Sequence, residues 1–150
     1  MDAVTVDQSG RTDVFTCHTV LAFSNGIHRS LLIPTKVKRV CYLKLKQKGI
    51  RKSLIGVKLF AAGLVLLLSE VIGQIEKVTI DLEYTGWEPL IKEHLLRHLR
   101  RKQPDIAANQ IIFRRIGKGA RAHTLALRVY QRKENANRVI GVKELLRALE

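Results

Sequence analysis

Val4-Thr5-Val6-Asp7 returns, one letter changed, as Val78-Thr79-Ile80-Asp81. Each phrase is a β-branched run that ends in a carboxylate, and Val, Ile and Thr fit a pleated, covered sheet. Both therefore read as buried strands. The first runs into Ser9-Gly10 and the second into Glu83 and Thr85-Gly86, so both acids fall at or near strand exits.

The elements between and after these strands follow from turn and period signals. Residues 3–8 form the first strand and 14–23 the second. Ser24-Asn25-Gly26 is a hairpin signal that returns the chain over 27–33, up to Pro34. The segment 36–48 stays open between two readings: Lys44 and Lys46 alternate with Leu43 and Leu45 as in a strand, whereas Val37, Val40 and Cys41 suit a helix. A helix over about 54–74 is apolar nearly all round, which predicts cover on most sides. The strand at 77–84 comes next. Pro89 opens a helix that runs to about Lys102, and Gln110 to Ile116 form a fifth strand. A further helix begins near Ala120, with Ala122, Leu125, Ala126 and Val129 on one face, and a last helix covers Val142 to Leu149. A three-strand antiparallel meander, then a crossover helix to a parallel strand, predicts an α/β mixed five-stranded sheet with helices on both faces. No linker or repeat divides the chain, so residues 1–150 read as one domain.

Charge narrows the function. Lys and Arg number 27 against 13 Asp and Glu, a formal net charge of +14, and no acid stands between Asp13 and Glu70. Such an excess implies an anionic partner, above all nucleic acid. An anionic membrane surface would call for a basic amphipathic helix with exposed Trp, Phe or Leu, and none is evident. The apolar run from Leu59 to Leu68 spans about half of the ~20 residues a membrane crossing needs. No signal peptide opens the chain. Cys17 and Cys41 form neither a disulfide framework nor a zinc spacing and read as core residues of a reducing compartment, cytoplasmic or nucleoid-associated.

The element order, with one Asp on the first strand and another at the exit of the fourth, resembles the ribonuclease H-like superfamily of nucleases, resolvases and transposases. Val6-Asp7-Gln8-Ser9-Gly10-Arg11 is similar to the Asp-Glu-Ser-Gly opening of a group of such proteins. Ile80-Asp81-Leu82-Glu83-Tyr84 is similar to the Asp-Arg-x-Phe/Tyr phrase that carries the second acid of many transposases. The resemblance implies that Asp7 and Asp81 are metal ligands and catalytic residues. It also implies that His123, in the closing helix, stands where the family often places an Asp or His. The family's usual Glu on the first helix has no counterpart here: that helix has only Glu70, near its end, which should lie far from Asp81. Glu83 takes its place in this reading, two residues from Asp81 and on the same face of an extended segment.

Each of these residues has a plainer reading. Asp7 suits a turn cap, Glu83 a surface ion pair, and His123 an ordinary helix start. Glu70 reads as a helix-end or surface residue paired with a lysine. His94 and His98 have ligand spacing on one helix, but no acid or Cys completes a zinc site and Lys92, Arg97 and Arg101 crowd it. Trp87 reads as a packing staple before Pro89, with a base-stacking platform as the alternative. Lys36, Lys38, Arg39, Lys44, Lys46, Lys48, Arg51 and Lys52 form a single-sign stretch that reads as a polyanion-binding surface, because a merely solvated face mixes signs. Arg97, Arg100, Arg101 and Lys102 make a second group; Arg114, Arg115, Lys118 and Arg121 make a third, beside His123.

The expectation is thus a nuclease that uses Mg²⁺ or Mn²⁺ held by Asp7, Asp81 and Glu83, with His123 as a terminal ligand or an aid to product release. The lysines would bind a duplex or a structured nucleic acid through its backbone. A homodimer is compatible with this reading. The rival is a non-catalytic nucleic-acid-binding module or ribonucleoprotein subunit of the same fold. DNA against RNA, and one metal against two, stay open.

Overall fold

The computed structural model describes residues 2–150. In chain order its elements are β1 (Asp2–Ser9), β2 (Thr19–Ser24), β3 (Arg29–Ile33), α1 (Thr35–Gln47), α2 (Lys52–Leu68), β4 (Ile75–Asp81), α3 (Glu88–Leu99), β5 (Ile111–Arg114), α4 (Arg121–Tyr130), β6 (Arg138–Val139) and α5 (Val142–Leu149). The strands form one mixed sheet in the order β5-β4-β1-β2-β3-β6. β2 is antiparallel to its neighbours β1 and β3, and the other pairings are parallel. The sheet therefore has six strands among the described residues, not five. The sixth, Arg138–Val139, pairs with β3 over two residues and is too short to leave a periodic signal.

Alternation along the strands sorts the two faces. Val4, Val6, Leu21, Phe23, Leu31, Ile33, Val78 and Ile80 point to the face covered by α1, α2, α3 and α5, where the large core lies. Val20 and Ala22 point to the other face, where Ala126 and Val129 of α4 meet them in a small second cluster. α2 is the centre of the large layer. Its residues are buried from Ile55 to Leu68 apart from Lys58 and Leu66, as its unbroken apolar composition predicts. It ends at Leu68, earlier than the pattern suggests, because Ser69 to Gln74 turn the chain into β4 through a short 3₁₀ turn.

Segment 36–48 is helical. Lys38, Cys41 and Leu45 are its buried residues, on one helical stripe, and this beats the local strand-like alternation of lysine and leucine. The second strand begins at Thr19 rather than at residue 14, and 10–18 is a connection. Two close approaches shape that connection. Gly10, at φ +76°, leaves no room for a Cβ between the His18 carbonyl and the Tyr130 ring. Gly56 in the first turns of α2 lies directly against Asp13. Of the two cysteines, both free thiols, Cys41 is in the core and Cys17 is half-buried on the connection.

Candidate metal centre

β1 and β4 are parallel neighbours with Val6 opposite Ile80, so Asp7 and Asp81 come level, on the face that α4 covers. The chain leaves β4 at Asp81, and Glu83 follows two residues on. The three side chains converge: one carboxylate oxygen of each lies within 4.8 Å of the others. Register places the first two, and the bend out of β4 brings the third.

Each acid is held from outside the cluster. Asp7 is 5 % exposed. Its Oδ1 accepts from the Gln8 backbone N–H at 2.8 Å, and its Oδ2 meets Nδ1 of His123 at 2.8 Å. Asp81 Oδ1 accepts from the Ile116 N–H at 2.8 Å, which pins the loop after β5 to the site. Glu83 is approached by Arg11, whose Nη1 lies 3.1 Å from the Glu83 carbonyl and 3.4 Å from its Oε2. Beneath the acids, Tyr84 OH joins the Thr12 hydroxyl and accepts from the Thr12 N–H at 3.2 Å and the Gln8 amide at 3.3 Å.

Crowding and burial make the cluster proton-hungry. Burial raises the Asp7 carboxyl above its ordinary value, the Asp81 charge adds to this, and the bonds from His123 and Gln8 oppose it. The Glu83 carboxyl is pushed up to about 7, by burial first and then by the hydrogen bond and charge of Asp81 and the charge of Asp7. Three hard oxygen donors that hold one another's charge poorly are a donor set suited to Mg²⁺, Mn²⁺ or Ca²⁺, since a divalent cation relieves what protonation otherwise must. His123 reaches the cluster through Asp7, with Nδ1 engaged on that carboxylate.

The cations divide less simply than their sequence suggests. Lys36, Arg39, Lys44, Lys46, Lys48, Arg51 and Lys52 are exposed, with Leu43 exposed among them. Lys38 is not part of that surface. It is fully buried, and its Nζ donates to the Arg11 carbonyl at 3.1 Å, the Cys17 carbonyl at 2.8 Å and Thr19 Oγ1 at 3.0 Å. A buried ammonium needs such a full set of acceptors. Arg114, Arg115, Lys118 and Arg121 are exposed, and Arg114 lies opposite Asp81 in the sheet. α1 and α4 follow the exits of β3 and β5, and α2 opens beside Asp13, so all three begin at the end of the sheet that carries the acids. None has a side-chain cap or an acid in its first turn, which leaves their positive dipole ends uncompensated there.

Other residues stand apart from the site. Glu70 pairs with arginines rather than a lysine, Arg29 at 2.6 Å and Arg138 at 3.2 Å. His94 is bonded through Nε2 to the Ala148 carbonyl at 2.8 Å and receives Arg97 at Nδ1 at 3.1 Å, so neither nitrogen is left for a metal. Trp87 packs against the large core with the Arg51 guanidinium 5.8 Å from its ring centre, and no Phe, Tyr or Trp among the described residues is more than half-exposed.

Gln8, Arg11, Thr12 and Tyr84 were not singled out by sequence. Gln8 and Arg11 stand in the phrase after Asp7 and Tyr84 in the phrase after Asp81, and Thr12 has only its place in the turn after β1; none acquires a role until the two exits are known to meet. Among the described residues no helix is long and apolar enough to cross a membrane. Comparison with family models, curated proteins and solved structures finds no match for this chain.

Proposed function

We propose that this protein is a metal-dependent nuclease of the ribonuclease H-like type. The observation that carries the reading is the convergence of Asp7, Asp81 and Glu83 within 4.8 Å at the exits of two parallel strands, in a chain of net charge +14. The six-stranded mixed sheet is compatible with that fold. Asp7, Asp81 and Glu83 would hold Mg²⁺ or Mn²⁺, which when bound supplies Lewis acidity at the phosphate and lowers the pKa of a water nucleophile. The chain's own part is to fix the ligands and the substrate. His123 and the Gln8 N–H orient Asp7, and the Ile116 N–H orients Asp81. Arg114, Arg115, Lys118 and Arg121 grip phosphates next to the acids, and the lysines of α1 extend the contact along a nucleic-acid backbone. With no Phe, Tyr or Trp standing fully exposed for bases to stack on, a duplex or folded strand fits this surface better than an extended single strand.

One observation favours a non-catalytic module instead. Glu83 has its own counter-charge in Arg11, so the cluster is partly compensated without a cation.

The deciding experiment is cleavage of labelled duplex, branched and structured DNA and RNA with and without millimolar Mg²⁺ or Mn²⁺, in the parent, Asp7→Asn and Asp81→Asn. The nuclease reading expects divalent-dependent cleavage that each substitution removes while binding persists. Binding without cleavage of any substrate sinks it and leaves the binding module. In either case affinity should fall log-linearly with salt, at about −0.9 per phosphate neutralised on B-form DNA.

A further inference from the structure

Among the described residues Arg11 is the Lys or Arg side chain that pairs with one of the three acids, and its guanidinium is engaged on three sides. Nε and Nη2 make a two-pronged pair with Asp13 at 3.0 and 3.1 Å. Nη1 reaches both the carbonyl and the carboxylate of Glu83. The flat face lies on the Tyr84 ring, 4.5 Å from its centre. These contacts join two separate segments, the connection after β1 and the exit of β4. The backbone at Arg11 is fixed as well, because its carbonyl accepts from the fully buried Lys38, and Thr12 beside it donates to the Gly56 carbonyl at 2.8 Å.

Glu83 is the ligand that most needs such a hold. Asp7 and Asp81 sit on paired strands, whereas Glu83 lies beyond the last residue of β4. Its neighbours in the chain that keep ladder or turn bonds are Leu82, whose N–H donates to the Arg114 carbonyl, and Trp87, whose N–H donates to the Tyr84 carbonyl. We infer that Arg11 is the positioning residue of the centre: its fork ties Glu83 to the β1 connection and so keeps this carboxylate in reach of Asp7 and Asp81. The inference rests on the metal reading of the three acids. A guanidinium suits the task because its donors are rigidly set, and it presents them to carbonyl, carboxylate and Asp13 together; an ammonium has the charge without the fork.

Arg11→Lys is therefore the discriminating variant, since it keeps the charge beside the acids and removes only the geometry. Mn²⁺ is titrated calorimetrically into the full chain for the parent, Arg11→Lys, Glu83→Gln and the double variant. Loss of an outer-shell partner costs about 10–100-fold in metal affinity, and Arg11→Lys should weaken Mn²⁺ by an amount in that range. The double variant should bind no more weakly than Glu83→Gln alone, because Arg11 acts through Glu83. Parental affinity in Arg11→Lys, or losses that simply add, overturns the inference. A second arm needs no metal. Amide hydrogen exchange at Leu82 and Trp87, which bracket Glu83, should be several-fold faster in Arg11→Lys than in the parent, and equal rates overturn the inference too. If the parent takes up no Mn²⁺, the metal reading fails by itself, and the exchange arm still decides whether Arg11 holds this segment.

Discussion

His94 and His98 stand one turn apart on α3 with ring centres separated by 4.5 Å, whereas Asp7, Asp81 and Glu83 come from opposite halves of the chain to lie within 4.8 Å. On paper the histidines are the better metal pair, because helical spacing guarantees their meeting. Their surroundings undo it. Burial lowers both imidazoles, and His98 is pushed down to about 4, by burial first and then by His94, Arg101 and Arg97. A cation arriving there would meet arginines, one His with both nitrogens engaged, and a second whose Nε2 is buried without a partner. At the carboxylates the same burial works the other way. It raises acids that repel one another, and a cation is what relieves them. Proximity is thus common to both constellations, and the sign of the neighbouring charge separates them.

The sharpest contrast is in activity. Asp7→Asn or Asp81→Asn should cut divalent-dependent cleavage by about 10³-fold, the several kcal/mol that metal stabilisation of a phosphoryl transition state supplies. His94→Gln should leave the rate at parental level. A loss in His94→Gln equal to that in Asp81→Asn would erase the distinction between the two constellations.

Next in size is the response of stability to metal. At a hundredfold excess over its dissociation constant, Mn²⁺ should stabilise the parent by about 2.7 kcal/mol, an upward shift of melting temperature of roughly 5–10 °C. His98→Leu should show the same shift and Asp81→Asn none. Differential scanning fluorimetry reads all three. A shift that survives in Asp81→Asn would place the cation elsewhere.

The smallest effect concerns protons at His98. Its folded pKa lies below the unfolded value, so the unfolded chain takes up the proton more readily. The stability tied to a neutral His98 is therefore complete above about pH 6.5 and is lost as pH falls toward 4. Glu83, with a raised folded pKa, bends the curve the opposite way over an overlapping window, so the test is a difference between two proteins. Urea unfolding of the parent and His98→Leu at several pH values should show the parent losing ground to the variant as pH drops. At pH 7.5 the variant should be equal in stability or up to about 1 kcal/mol better, since it removes an unpaired buried nitrogen. A pH-independent difference would mean that His98 does not titrate with folding.

The strands around the acids were legible because their signal is local: Val4-Thr5-Val6-Asp7 and Val78-Thr79-Ile80-Asp81 each carry their own β-branched run and exit. The hairpin at Ser24-Asn25-Gly26 and the limits of α5 were legible for the same reason. α1 was not, because Leu43-Lys44-Leu45-Lys46 fits two periods and only the burial of Lys38, Cys41 and Leu45 chooses between them. Lys38 was misplaced on the binding surface because a run of cations gives no sign of which member turns inward. That depends on carbonyls of a connection, at Arg11 and Cys17, whose path no local pattern fixes. Glu83 is named from its offset on an extended segment, yet β4 ends at Asp81 and the bend that follows is what brings it to the other two acids. Arg11 and Gln8 are not named, since their partners lie in the other half of the chain.

The two faces of the sheet do not cost the same to open. Four helices and the whole of the large core cover one; on the other a single helix, α4, sets Ala126 and Val129 against Val20 and Ala22 and packs on β1, β2 and β3. Local unfolding follows light apolar cover, and the small cluster under α4 holds far less of it than the core on the other face. His123 rides on α4. The partner of Asp7 thus belongs to the more lightly covered face, while Asp81 and Glu83 are fixed by β4 and by Arg11 on the other connection. Lifting one helix withdraws the imidazole and bares Asp7, and the three carboxylates stay where the strands put them.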